Sequence, residues 1–136
     1  LEIDNDYIPT GEFKNTAFTP FDFLSEKIIG DDLNKNNKQL NIAKGYDHCF
    51  VLNKGQKIAA ELSELESGRL IQIFTDQPGI QLYTGNHLKG VFSKNQGLCL
   101  ETQHFPNSPN VNSFPTTLLK SNTNYYSKTS YHFKLI

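Results

Sequence analysis

Apolar residues recur at every second position through much of this chain, and the alternation predicts strands. Between residues 98 and 103, Leu98, Leu100 and Thr102 fall on one face and Cys99, Glu101 and Gln103 on the other. In the run 80–84, Ile80 and Leu82 point one way, Gln81 and Tyr83 the other. At the C-terminal end Tyr131, Phe133 and Leu135 alternate with Ser130, His132 and Lys134, which predicts a half-buried final strand with His132 on its solvated side. Residues 57–66 and 69–75 read as paired strands, with Ser67-Gly68 as the turn between them. Asn53-Lys54-Gly55-Gln56 predicts another hairpin turn, and Asp76-Gln77-Pro78-Gly79 sets proline then glycine at a turn centre. Phe105-Pro106 should end a ladder, because proline has no N–H to donate, and Asn107 to Asn110 forms a turn cluster.

The remaining segments are less regular. Residues 1–23 are short apolar stretches broken by Pro9 and Pro20, which excludes a helix through their middle. Residues 31–39 hold almost nothing to bury and predict a surface loop or a short frayed helix. Residues 86–96 read as a loop with His87 exposed, and 116–120 as a short strand or a connection. From Asn53 onward the pattern is all-β.

Composition narrows the possibilities. The 136 residues suit one domain. A formal net charge of -1 supplies no basic surface, so nucleic acid is not an expected partner. No run approaches the ~20 apolar residues that span a bilayer, and no charged start precedes an apolar run, so no membrane is expected and the cytoplasm is the simplest location. Cys49 and Cys99 read as buried, reduced thiols. The chain contains no methionine and begins with Leu1, which suggests a processed or trimmed product or one piece of a longer polypeptide. Metal-binding pairs and phosphate-binding glycine loops are missing, so neither a metal nor a cofactor is expected.

Candidate chemistry gathers on the polar strand faces. Glu101 sits mid-strand, where the backbone is stiff, although an isolated glutamate there is ordinarily a solvated side chain. Asp47 opens the apolar stretch 48–52. It can act as a turn cap or as an acceptor for sugar hydroxyls, since an ionised carboxylate only accepts. If Gln81 and Tyr83 share a sheet face with Cys99, Glu101 and Gln103, that face carries amides, a carboxylate and an aromatic ring, a surface suited to a sugar. His48 reads as structural. His104 stands three residues beyond Glu101, an odd offset that places it on the opposite face, as a structural or supporting group.

The run Leu100-Glu101-Thr102-Gln103-His104-Phe105-Pro106, followed by Ser108-Pro109-Asn110, resembles the C-terminal signature of the galactose mutarotases, the aldose 1-epimerases. So do Ile8-Pro9-Thr10-Gly11-Glu12, Thr19-Pro20-Phe21-Asp22-Phe23, Gly45-Tyr46-Asp47-His48-Cys49-Phe50 and the segment from Pro78 to Asn86. The resemblance implies a large antiparallel β-sandwich, of which residues 1–136 are the C-terminal part. It implies Glu101 as the general base, Asp47 as the residue that holds the sugar and Gln81 as a sugar contact. The family's acid is a histidine in the portion that precedes the part matched here, and no histidine of this chain fits that motif.

The activity so implied is interconversion of the α and β anomers of a free hexose, galactose or glucose. A C-terminal part alone would leave strand edges and an apolar sheet face open, so a companion polypeptide carrying the N-terminal part is expected. The alternative is a non-catalytic carbohydrate-binding module in which Asp47, Gln81 and Glu101 only hold a sugar. A purely structural β domain ranks third, and a phosphorylated sugar is disfavoured by the lack of an arginine cluster near these residues.

Overall fold

The row His48, Phe50 must be covered on the side away from Asp47 and Cys49, and the strand that can do so has its own apolar pair, Ile80 and Leu82. In the computed structural model, which describes all of Leu1–Ile136, Asp47–Val51 (β1) accordingly pairs with a strand distant in sequence. His48 lies opposite Leu82 and Phe50 opposite Ile80 of Gly79–Tyr83. Between them in sequence come Ala60–Glu64 (β2) and Arg69–Thr75 (β3), so Gly79–Tyr83 is β4. Cys99–Gln103 (β5) pairs with the other edge of β4, bringing Leu100 opposite Leu82 and Thr102 opposite Ile80. Strand β4 is thus the centre of an antiparallel sheet of order β1-β4-β5.

A second antiparallel sheet has the order β2-β3-β6, where β6 is Thr129–Leu135. The predicted strand pair around Ser67-Gly68 is β2 and β3. The expected hairpin at Asn53–Gln56 is corrected: the turn exists, with Gln56 N donating to Asn53 O at 3.4 Å, but it carries the chain from one sheet to the other. Residues 116–120 are an exposed connection without strand pairing.

The core lies behind the first sheet, where Leu82 packs with Leu40 and Tyr46, flanked by Phe21, Phe23 and Leu100. Full burial of such a side chain contributes about 1.5–3 kcal/mol. The Tyr46 hydroxyl donates to Pro20 O at 2.7 Å, so its polar end is satisfied, and Phe21 meets its ring edge-on at 5.3 Å between centroids.

The polar stretch 31–39 is better anchored than its composition suggests. Asp32 is buried between Lys27 at 2.7 Å and Lys35 at 2.5 Å. Their hydrogen bonds, Lys27 first, hold its carboxyl below the ordinary range. A short helix, Lys38–Ala43 (α1), follows. Asn37 caps it by accepting from the Gln39 and Leu40 N–H groups, and Leu40 and Ala43 enter the core.

Elsewhere the apolar surface stays open. Strand β6 forms full pairing with β3, setting Tyr131 beside Ile73, Phe133 beside Ile71 and Leu135 beside Arg69. Yet Phe133 and Leu135 are each 79% exposed, so the expected half-buried strand is in fact an uncovered one. A cleft of about 760 Å³ opens between the two sheets, lined by Phe21, Phe23, Phe50, Leu62, Leu82 and Leu100. No helix is long and apolar enough to cross a membrane.

Candidate functional site

Antiparallel register decides which side chains share a face, because residues directly opposite one another project to the same side. Gln81 lies between Cys49 of β1 and Glu101 of β5, and Tyr83 lies between Asp47 and Cys99. The same-face condition for Gln81, Tyr83, Glu101 and Gln103 is therefore met, and β1 adds Asp47. Asp47 and Glu101 stand on the two outer strands. They are about 10 Å apart across the sheet and about 7 Å apart along it, from the ordinary strand spacing and rise.

The polar groups of this face are linked. Gln81 Nε2 donates to Asp47 Oδ1 at 2.7 Å, and Gln103 Nε2 donates to Gln81 Oε1 at 3.2 Å. Between its two sequence readings, Asp47 is therefore bound by a neighbouring strand's amide and does not cap a turn. Glu101 is exposed, whereas Asp47 and Gln81 are half-buried. The face thus offers one solvent-facing carboxylate beside a pre-oriented amide and a second carboxylate. Such a set can accept hydroxyl protons and hold a polyol by directional hydrogen bonds.

One end of the face is closed and the other is open. At one end Phe105 and Phe114 meet edge-on at 5.2 Å and cover Cys49. Gly79 is required there, because a Cβ at that position would stand 2.7 Å from Cys49 Sγ. Burial raises the Cys49 thiol's pKa, which keeps it protonated and inert. Cys99, expected to be buried, is exposed at the open end of the face, because β5 is an edge strand and nothing covers its start; both thiols are free.

At that open end the Tyr83 hydroxyl accepts from His87 N at 3.0 Å. The following loop is tied down by Asn95 Nδ2, which donates to Thr84 O at 2.6 Å. Asn86 Nδ2 donates to Ala43 O and Tyr46 O at 2.9 and 2.8 Å, fixing the loop to the core. Sequence reasoning missed these roles of Asn86, Asn95 and Gln103. Only Gln103 carried a signal, its place on the polar face of a strand.

His48 and His132 lie off this face, whereas His87 stands in the loop at its open end, its ring 6.0 Å from that of Tyr7. His48 is on the reverse side, 3% exposed, with Nδ1 accepting from Asp47 N at 3.1 Å and Nε2 without a partner. Burial drives its pKa down to about 3, so it is a neutral ring. His104 sits past the end of β5, its ring 6.1 Å from that of Tyr125, and His132 belongs to the second sheet, its ring tilted at 41° to that of Phe74 with centroids 4.5 Å apart. The large cleft is likewise on the reverse side. It is the apolar interior between the sheets and holds none of Asp47, Gln81 or Glu101. No group of three or more His, Cys, Asp or Glu side chains converges as a metal site.

Comparison with known proteins agrees with this architecture. The chain is 38% identical to the galactose mutarotase of Sus scrofa, over 99% of its own length and 41% of that protein. It is 35% identical to the aldose 1-epimerase of Escherichia coli K12, over 98% of its length and 42% of that protein. Among solved structures, a GalM/aldose epimerase homologue from C. elegans superimposes with a TM-score of 0.90 at 25% identity, covering 99% of this chain and 42% of that one. Galactose 1-epimerase from Lactobacillus acidophilus gives 0.78 at 29% identity, with 99% and 41% covered. The chain thus spans about two fifths of the length of the relatives it matches. The family model for aldose 1-epimerase matches residues 1–132, and by that match the chain belongs to the aldose 1-epimerase family.

Proposed function

We propose that this chain is the C-terminal part of an aldose 1-epimerase that interconverts the α and β anomers of a free hexose, galactose or glucose, with Glu101 as general base and Asp47 and Gln81 holding the sugar. The observation that carries the reading is the register, which sets Gln81 directly beside Glu101 and bonds Gln81 to Asp47 on one face.

Ring opening needs a base at the anomeric hydroxyl and an acid at the ring oxygen. The exposed Glu101 carboxylate takes the O1 proton, the O1 electron pair forms the C1=O bond, and the C1–O5 bond breaks as O5 takes a proton from the acid. Rotation about C1–C2 and the reverse steps close the ring as the other anomer. Each positioned acid or base contributes ~10²–10⁴ in rate. His48 is an unsuitable acid, since it faces away from the site and is held neutral.

The acid is therefore assigned to a companion polypeptide, or a further stretch of the same one, that supplies the rest of the family fold. The exposed Phe133 and Leu135 and the apolar cleft are the surfaces such a portion would cover. Native mass analysis of the purified material tests this point, with a second polypeptide of mutarotase-like sequence or a longer single chain as the expected result.

Glu101→Gln tests the chemistry. An epimerase loses turnover by ~10²-fold or more with sugar affinity little changed, whereas a non-catalytic carbohydrate-binding module, the alternative, loses affinity alone.

A further inference from the structure

The two ends of a glutamine amide have nearly the same shape and opposite hydrogen-bonding character: one accepts, the other donates twice. Which end Gln81 turns toward Asp47 therefore decides what it presents to a ligand. A carboxylate such as Asp47 only accepts, so the bond of 2.7 Å requires the Gln81 Nε2 end. That contact alone would leave a three-torsion side chain held at one point. The second point is Gln103, whose Nε2 donates to Gln81 Oε1 at 3.2 Å.

Gln103 reaches Gln81 because of what stands beside it. Its directly opposite residue on β4 is Gly79, which has no side chain, so Gln103 can lean diagonally along the sheet toward Gln81. Phe105, buried two residues further on, packs near Gly79 and fills the space on the other side. The chain Gln103→Gln81→Asp47 has a single consistent polarity, with every donor meeting an acceptor. It leaves one Gln81 N–H and the second Asp47 oxygen without a protein partner, a donor and an acceptor side by side.

We propose that Gln103 is a positioning residue: it fixes the direction and polarity of the Gln81 amide on the sugar-facing side of the sheet and acts through Gln81 without itself touching the ligand. This inference rests on the reading of that face as a sugar site.

The test uses the full chain labelled with ¹⁵N, observing the Gln81 side-chain NH₂ pair together with galactose titrations. Gln103→Leu removes the donor. Gln103→Glu keeps the shape and replaces the donor with an acceptor, which guards against a mere packing effect. In Gln103→Leu the Gln81 pair is expected to shift toward a free amide and exchange its protons faster. In Gln103→Glu it is expected to shift as the amide, now between two acceptors, loses its single direction. In both the galactose Kd is expected to rise by roughly threefold to tenfold, the worth of one net hydrogen bond. Pairing Gln103→Glu with Asp47→Asn reverses every donor and acceptor, so the Gln81 pair should become ordered again.

An unchanged Gln81 pair in both single variants overturns the proposal, as does a shifted pair with unchanged galactose affinity. Galactose affinity is read on this chain assembled with the portion that supplies the rest of the family fold; if the Gln81 pair responds as expected but that assembly binds no galactose, the bonded network stands and the sugar reading falls.

Discussion

Stability between pH 8 and pH 5 should depend on one buried ring, and its share of the effect can be sized. His48 is nearly inaccessible, its Nδ1 accepts the Asp47 N–H, its Nε2 has no partner, and the edge of Phe21 lies 4.8 Å away between centroids. Protonation would turn the Nδ1 acceptor into a donor facing another donor and place a charge against an apolar wall. The folded state therefore refuses the proton until about pH 3, whereas the unfolded chain takes it near the ordinary 6.5.

Below pH 6.5 the unfolded state thus binds more protons than the folded one, and stability falls with falling pH at about 1.4 kcal/mol per unit. By pH 5 the loss attributable to His48 is about 2 kcal/mol. His48→Asn keeps an acceptor near the Nδ1 position but cannot titrate. Urea unfolding of wild type and variant at several pH values from 8 to 5 isolates the difference, since the other three histidines are common to both. The wild-type curve should fall by about 2 kcal/mol more than the variant's over this range. Parallel curves would refute the argument and mean that the ring can reach water or a proton acceptor.

Two further outcomes follow from packing. Gly79→Ala should destabilise the chain by roughly 1–3 kcal/mol, because its Cβ would sit 2.7 Å from Cys49 Sγ; adding Cys49→Ala should recover part of the loss in thermal melts, and no recovery would mean that Phe105, at 3.2 Å, is the real obstacle. Phe133→Ser should change the stability of the chain alone by no more than about 0.5 kcal/mol, since that ring is already largely in water. The same substitution should weaken assembly with whatever supplies the rest of the fold, which native mass or sedimentation would show.

Much of the local structure was legible in period-two patterning. The alternation around Glu101 placed Leu100 and Thr102 together and opposite Glu101, and the register agrees. Pro106 after Phe105 marked the end of β5, and Asn107, at a φ of +67°, turns the chain there as its residue type permits. What alternation could not convey was which strands pair. A glycine-bearing turn at Asn53–Gln56 looks the same whether it joins neighbours in one sheet or crosses to another. The distinction rests on burial of His48 and Phe50 against Ile80 and Leu82, contacts that span some thirty residues.

Patterning also misjudged cover. The residues of β6 alternate as a half-buried strand should, and pattern records the intention to bury without the neighbour that does it. Conversely, the polar stretch around Asp32 read as unsupported, because the pairing of Asp32 with Lys27 and Lys35 is a matter of side-chain geometry and not of composition.

By itself, then, the sequence determined the strand type and the face on which each residue lies, because these depend on the two-residue repeat of the extended backbone. Tertiary structure alone decided that Asp47, Gln81, Glu101 and Gln103 form one surface. Their assembly depends on the register of three strands distant in sequence, set by the apolar row on the opposite side of the same sheet.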